Sequence, residues 1–150
     1  MRKDMKIYYI ENVRLPTEKA HGYQIMKTCE AMVEQGADLT LICAARRNLL
    51  GDKDSFAYYD IRTSYPLIRL AVTDFLGKVP SWLWQPAFLL ERFTFARSLR
   101  RFAKTMQAGS VCYTRDARIA AALKRLRPDL RISVELHALP NPAVLKAWLP

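Results

Sequence analysis

The sequence has few glycines and histidines, and it lacks the best-known glycine-rich and metal-site motifs. Only five glycines and two histidines occur among its 150 residues. No G-x-G-x-x-G follows the first apolar run, which disfavours a dinucleotide-binding domain of the usual kind, and neither a P-loop nor a G-x-S-x-G is present. Cys, His, Asp and Glu form no cluster with metal-ligand spacing. The sequence therefore predicts neither a metal nor a cofactor.

Cysteines are also scarce, and no apolar run is long. Cys29, Cys43 and Cys112 are odd in number and far apart, so we expect buried thiols in a reducing compartment. No stretch reaches the roughly 18 apolar residues of a membrane span. The N-terminus shows no signal-peptide pattern. These features predict a cytoplasmic protein, and the length fits one globular domain over residues 1–150.

Acidic residues are outnumbered by basic ones. The chain has 14 of the former and 24 of the latter, which gives a net charge of +10. Such a charge favours an anionic partner such as a phosphorylated small molecule, an anionic membrane or a nucleic acid. A soluble domain that is merely basic is the alternative. No nucleic-acid-reading motif is recognisable, so we do not expect nucleic acid as the partner.

Short apolar runs alternate with amphipathic segments along the chain. The runs predict strands at residues 5–10, 38–44, 67–72, 110–113 and 131–136. Helices are predicted after Thr17, with Thr17 as N-cap and Gly36 as the stop, and at residues 87–107 and 117–127. Residues 56–59 fit either a helical turn or a strand. The alternation predicts a Rossmann-like α/β sandwich with a largely parallel sheet.

The helix predicted over residues 87–107 has two different faces. One face is predicted to be buried and carries Phe88, Phe95, Leu99, Phe102 and Met106. The other, which we call the basic patch, consists of Arg97, Arg100, Arg101 and Lys104. Because aromatic residues precede it, the basic patch is a candidate for docking on an anionic membrane surface. The alternative is a solvated helix face packed under those aromatic residues.

Three turns that follow strands are expected to share the carboxyl edge of the sheet, where open parallel sheets bind ligands. They comprise residues 12–22, 114–116 and 137–140, and they contain both histidines. The candidates for one crevice are His21, Arg115, Asp116, Glu135 and His137.

Each candidate also has a purely structural interpretation. His137 either faces a ligand or caps backbone groups at a strand end. His21 either faces the crevice or is satisfied beneath the loop. Arg115 either holds a phosphate or sugar hydroxyl, or forms a salt bridge with Asp116 or another carboxylate. The helix N-terminus after Thr17 suits an anion.

Several segments of the sequence occur in an order and spacing that resemble those of a known enzyme family. Residues 6–10 (KIYYI), 16–24 with the core KAHGYQ, 29–32 (CEAM) and 36–42 are similar to the start of bacterial family-4 glycosyltransferases. Residues 113–116 (YTRD) and 134–137 (VELH) resemble two later segments at compatible spacing. The resemblance spans most of the chain, and it rests on the order and spacing of the segments.

The resemblance implies the N-terminal half of a GT-B fold, in which two Rossmann-like domains face each other across a cleft. The N-terminal domain takes the acceptor, the C-terminal domain binds the nucleotide sugar, and the enzymes retain anomeric configuration without a metal. On this basis His137 falls at the active-site histidine. Thr17, His21, Gly22, Arg115 and Asp116 are then candidates for binding substrate.

The resemblance also implies a C-terminal domain with two glutamates eight positions apart, and no such pair occurs in this sequence. We therefore expect part of a longer enzyme, inactive alone, with a nucleotide sugar and a sugar or lipid-linked acceptor as partners. A cytoplasmic protein peripheral to the inner face of the membrane is consistent with this. The alternatives are a non-catalytic basic α/β module that docks on an anionic membrane or a partner protein, and a nucleotide-binding domain of another enzyme class.

Overall fold

The computed structural model describes residues 5–48, 50–75 and 78–136, which form an α/β fold around a five-stranded sheet. Every neighbouring pair of strands is parallel, and the order is β3-β2-β1-β4-β5. The strands are β1 (Lys6–Ile10), β2 (Asp38–Ala45), β3 (Leu67–Ala71), β4 (Val111–Thr114) and β5 (Arg131–Val134). The helices are α1 (Ala20–Glu34), α2 (Ser55–Tyr58), α3 (Trp84–Ala103) and α4 (Ala117–Leu126). The predicted fold class is confirmed.

The strands are apolar on both faces because helices cover the sheet from both sides. Successive side chains of β1 point to opposite faces, so Tyr8 and Ile10 belong to one core and Tyr9 to the other. The first core contains Phe95 and Leu99 of α3 together with residues of α4. The second contains Ile25, Met26 and Cys29 of α1 together with Leu39, Leu41, Cys43 and Tyr59.

The strand order reverses at β1. The chain builds β2 and β3 on one side of β1 and then crosses to place β4 and β5 on the other. The carboxyl ends of β1 and β4 therefore flank a topological switch point, which is where open α/β sheets bind ligands. The fold thus brings residues after Ile10 and after Thr114 to one edge.

The start of α1 differs from the prediction. The helix begins at Ala20, and the N-cap is Lys19, whose side chain makes no capping hydrogen bond. Thr17 is not the N-cap, because the Tyr59 hydroxyl holds both its N–H and its carbonyl within the loop. The end of α1 agrees with the prediction, since Gly36 has a φ of 84° and its N–H donates to the Val33 carbonyl at 2.8 Å.

The bounds and buried face of α3 also differ. It starts at Trp84 because a proline in the first turn, here Pro86, needs no hydrogen-bond partner for its nitrogen. Phe88 is exposed rather than buried, and Met106 is buried beyond the helix end. The core-facing positions follow a spacing of four: Ala87, Glu91, Phe95, Leu99 and Ala103. Residues 56–59 resolve mainly into the short helix α2.

Candidate functional site

A cavity of about 570 Å³, which we call the edge cavity, lies at the carboxyl edge of the sheet. Its walls come from the loop after β1, from residues directly after β2, from Asp74 after β3 and from Trp84 at the start of α3. Thr17 and His21, two of the predicted site residues, line it. The other lining residues are Asn12, Val13, Arg14, Glu18, Lys19, Arg46 and Arg47.

His21 lies in the first turn of α1 and is half-buried. Burial lowers the pKa of its imidazole, and the positive charges of Lys19 and Arg115 lower it further. The shift favours the neutral ring, in which one nitrogen donates a hydrogen bond and the other accepts one. A neutral imidazole in a polar cavity is suited to orienting a hydroxyl group.

Thr17 and Gly22 are fixed by one tyrosine. The Thr17 N–H donates to the Tyr59 hydroxyl at 2.6 Å, and that hydroxyl donates to the Thr17 carbonyl at 2.7 Å. Gly22 is buried against the same hydroxyl, and a Cβ there would lie 2.5 Å from Thr17 Cγ2. Gly22 is needed because the loop and the helix approach so closely. Thr17 therefore lines the edge cavity, whereas Gly22 does not line it and packs behind the loop.

Arg115 forms a salt bridge, which was the structural alternative for this residue. Its Nε lies 3.8 Å from Glu135 Oε1. The Tyr113 hydroxyl donates to the same carboxylate, and burial is the main reason why the pKa of Tyr113 rises to about 12. The carboxylate that pairs with Arg115 is therefore Glu135, which directly follows β5.

Asp116 caps α4, and its Oδ1 accepts a hydrogen bond from the Arg118 N–H at 2.8 Å. It lines a separate cavity of about 60 Å³ together with Asn12. His137, the predicted catalytic residue, lies outside the described residues. The structure therefore brings His21 and Thr17 into the edge cavity, and places Arg115 and Asp116 at the adjoining ends of β4 and α4.

Glu11, which was not among the predicted site residues, occupies the switch point. It directly follows β1 and is only 6% exposed. Its Oε1 accepts hydrogen bonds from the Arg115 N–H and, at 3.4 Å, from the Thr114 hydroxyl. Burial raises the pKa of Glu11 to about 7 even though these bonds and the Arg115 charge lower it. Glu11 therefore joins the end of β1 to the turn that carries Arg115.

A second network joins the end of β2 to α3. Glu91 is fully buried, and its carboxylate accepts from Arg46 Nε at 3.0 Å, with Arg46 Nη2 2.7 Å from the other oxygen. Arg46 Nη2 also donates to Asn12 Oδ1 at 3.1 Å. A buried charge is costly unless it is paired and hydrogen-bonded, so this network holds the cavity wall in place.

Two sequence signals could have located these networks. Glu91 lies four positions before Phe95 on the core-facing stripe of α3, so it is a charge at an apolar position. Asn12 and Arg46 come shortly after strands, at the edge where polar side chains gather. Neither signal identifies the partner, because Arg46 and Glu91 are 45 residues apart.

The outward face of α3 combines exposed apolar and basic side chains. All four residues of the basic patch are exposed, as are Leu89 and Phe93 nearer the helix start. At 3.6 residues per turn, Leu89, Phe93, Arg97, Arg100 and Lys104 share the side opposite the core. The aromatic residues do not cover the basic patch, since Trp82 is 76% exposed and Phe93 is 64% exposed. Glu91 is the only acidic residue of α3, and it points into the core.

Two further findings concern metal ligands and the length of apolar helices. Across residues 5–48, 50–75 and 78–136, no group of three or more His, Cys, Asp and Glu side chains is arranged to hold a metal ion. Over the same ranges, no helix combines the length and the apolar character needed to cross a bilayer.

The three cysteines are buried, as predicted.

Comparison with protein-family models gives no match for the chain, and no curated protein matches it either.

Proposed function

We propose that the chain is the acceptor-side domain of a retaining glycosyltransferase of the GT-B type. The edge cavity carries the proposal, because it lies at the carboxyl edge of an all-parallel sheet and has the volume of a small-molecule site. The segment similar to family-4 glycosyltransferases supplies part of its lining, namely Thr17, Glu18, Lys19 and His21. The similarity in sequence and the position of the cavity thus point to the same edge.

On this proposal, a sugar or lipid-linked acceptor places its hydroxyl in the edge cavity, and a second domain presents the nucleotide sugar. The acceptor oxygen bonds to the anomeric carbon as the bond from that carbon to the phosphate oxygen breaks, and the hydroxyl proton passes to the departing phosphate. Neutral His21 and Asn12 orient the acceptor through hydrogen bonds. Catalysis rests on this orientation and on electrostatic stabilisation of the departing phosphate. His137 keeps its predicted role beside the transferred sugar.

The test is a fusion of the chain to the donor domain of a family-4 glycosyltransferase. Release of UDP or GDP from nucleotide sugars is measured with sugar, phosphosugar and lipid-linked acceptors. We expect His21→Ala to lower turnover by about tenfold to a hundredfold, since losing one positioning hydrogen bond costs about 1–3 kcal/mol. Arg118→Ala, an exposed change on α4, is the matched control and should have no effect. A folded fusion that binds donor and transfers to none of these acceptors contradicts the proposal.

A second candidate function is docking on an anionic membrane, which the outward face of α3 favours. Exposed apolar side chains next to a cluster of cations supply the two contributions to membrane binding, which are buried apolar area and attraction to anionic lipids. The absence of exposed acidic side chains on α3 leaves its positive charge unopposed. The two functions are compatible, because a transferase for lipid-linked acceptors would work at the cytoplasmic face of a membrane.

Sedimentation with vesicles tests the docking function directly. We expect binding to vesicles that contain phosphatidylglycerol and little binding to phosphatidylcholine alone. Replacing Arg97, Arg100 and Lys104 together by Glu should weaken binding by at least about a hundredfold, since each cation near the surface contributes about 1 kcal/mol. The control replaces Arg118, Lys124 and Arg125 of α4 by Glu, which changes the net charge by the same amount. Equal losses in both triple variants would contradict docking through α3.

A further inference from the structure

A second cavity, which we call the loop cavity, lies beside the edge cavity and has a volume of about 800 Å³. The loop after β2 forms one wall, Leu15 and Pro16 form another, and Arg69 of β3 contributes from the sheet. Asn48 holds the walls together, since its Nδ2 donates to the Pro16 carbonyl at 3.1 Å and its Oδ1 accepts from the Leu50 N–H at 2.9 Å. The cavity is therefore shaped by hydrogen bonds within the loop.

Cations dominate the available charge of the loop cavity. Arg46, Arg47, Lys53 and Arg69 line it, and Arg46 is neutralised by buried Glu91. Among the described residues, Arg47, Lys53 and Arg69 form no salt bridge. Lys53 lies over the Tyr58 ring, with its Nζ 5.7 Å from the centroid, and Arg69 Nη2 donates to the Ser55 hydroxyl at 2.9 Å. Three cations thus converge on one cavity, and each of them has hydrogen-bonding capacity left.

The acidic side chains of the loop cavity do not cancel this charge. Asp54 is the N-cap of α2, and its Oδ2 accepts from the Ala57 N–H at 2.8 Å. Asp52 is exposed and forms no salt bridge with the three cations. An anion in the cavity would therefore meet Arg47, Lys53 and Arg69, which outnumber the two opposing charges of Asp52 and Asp54.

We propose that the loop cavity is a phosphate-binding site in which Arg47, Lys53 and Arg69 hold a phosphoryl group. The planar guanidinium of arginine matches two phosphate oxygens at once, and the lysine adds a compact charge. The charge and the geometry of the loop cavity support this site independently of the proposed function. Naming its occupant as the phosphate of an acceptor rests on the proposed function.

The position of the loop cavity explains how such an acceptor is placed. Arg46 and Arg47 line both cavities, so the two cavities adjoin at the end of β2. A phosphate in the loop cavity puts the rest of the molecule, including a sugar hydroxyl, into the edge cavity next to His21. The acceptor class is then a phosphorylated sugar or a lipid with a phosphate headgroup.

The test titrates the unmodified chain with inorganic phosphate and with pyrophosphate, followed by NMR and calorimetry. We expect saturable binding with a dissociation constant of about 1 mM or lower, as charge-assisted contacts provide. Arg47→Gln, Lys53→Gln and Arg69→Gln should each weaken binding by about fivefold to tenfold. Asp52→Asn should tighten it, because one of the two opposing charges is removed. Circular dichroism and thermal unfolding establish that every variant is folded.

The control is Arg101→Gln, which removes one exposed cation that lies outside the loop cavity. An equal loss in this variant, or no saturable binding at 20-fold the expected constant, overturns the proposal. Glucose 6-phosphate and vesicles containing phosphatidic acid then distinguish a sugar phosphate from a lipid headgroup. Phosphate binding together with an inactive fusion enzyme would refute the proposed function and leave the site standing. Sugar transfer without phosphate binding would refute the phosphate-binding site and leave the proposed function standing.

Discussion

Arg46 holds the buried carboxylate of Glu91 through both of its oxygens, and this contact connects the end of β2 to α3. Arg46 Nε is 3.0 Å from one oxygen and Nη2 is 2.7 Å from the other. Arg46 also donates to Asn12 and lines both the edge cavity and the loop cavity. The residue that neutralises a core charge therefore also contributes to both candidate binding regions.

Removing Arg46 should destabilise the fold strongly. Arg46→Ala leaves Glu91 buried without its partner, which costs about 3–5 kcal/mol of unfolding free energy. The measurement is chemical denaturation followed by circular dichroism. Asp38→Asn is the matched control, because it breaks the exposed pair with Lys6 and should cost about 1 kcal/mol or less.

The double variant Arg46→Met with Glu91→Met tests the same pair further. It should recover most of the stability, since apolar side chains of similar size often replace a buried ion pair without loss. Equal effects of Arg46→Ala and Asp38→Asn would show that Glu91 does not depend on Arg46.

Glu11 should make stability depend on pH. Its pKa is raised from 4.5 to about 7 in the folded protein, so folding favours the protonated form. Its contribution is fully present below pH 4.5 and is lost as the pH rises through 7, a change on the order of 3 kcal/mol. Glu11→Gln should remove this loss. The expected result is a variant that matches the wild type at pH 5 and is more stable at pH 8.

The difference between the two proteins isolates Glu11 from other titrating groups. His21 acts in the opposite sense, because its lowered pKa costs stability as the pH falls below its ordinary value of 6.5. Parallel stability curves for wild type and Glu11→Gln from pH 5 to pH 8 would contradict the prediction.

Gly22→Ala should weaken the link between α1 and the loop after β1. The added Cβ would lie 2.5 Å from Thr17 Cγ2 and closer still to the Tyr59 hydroxyl oxygen, so the backbone or Tyr59 must move. We expect a loss of about 2 kcal/mol, which is typical of overpacking. Thermal and chemical unfolding measure it.

A double-mutant cycle with Tyr59→Phe assigns the cause. Removing the hydroxyl relieves part of the clash, so the double variant should lose less stability than the two single losses added together. Strictly additive losses in unfolding free energy would show that the strain in Gly22→Ala does not come from the Tyr59 hydroxyl.

The three thiols should be unreactive in the native protein. Cys29, Cys43 and Cys112 are all buried, and burial raises their pKa values, to about 11 for Cys43 and for Cys112. A thiol reagent such as DTNB at pH 8 should modify none of them until denaturant unfolds the chain, when all three should react. Rapid modification of one cysteine without denaturant would contradict its burial.

Local patterns in the sequence were sufficient to predict the α/β architecture. The apolar runs at the five strands and the periodic segments between them predicted an α/β fold, and Gly36 marked the end of α1 because its positive φ is a local requirement. The predictions were wrong where a contact with a residue distant in the sequence overrode the local pattern. Thr17 has the composition of an N-cap, yet Tyr59, 42 residues away, holds it in the loop. Phe88 has helical spacing with Phe95, yet it is 40% exposed, because the first turns of α3 bury Ala87 and Glu91 instead.

The sequence by itself determined the order of strands and helices, the positive charge and the burial of the cysteines, because these follow from composition and from contacts within one element. The tertiary structure decided the sheet order, the joining of Glu11 to Arg115 and the exposure of the outward face of α3. Glu11 and Arg115 are 104 residues apart, and nothing in the sequence around either residue indicates that the other is its partner. Packing brings such pairs together only once the sheet is assembled, so the cavities and the cations that line them depend on the tertiary structure.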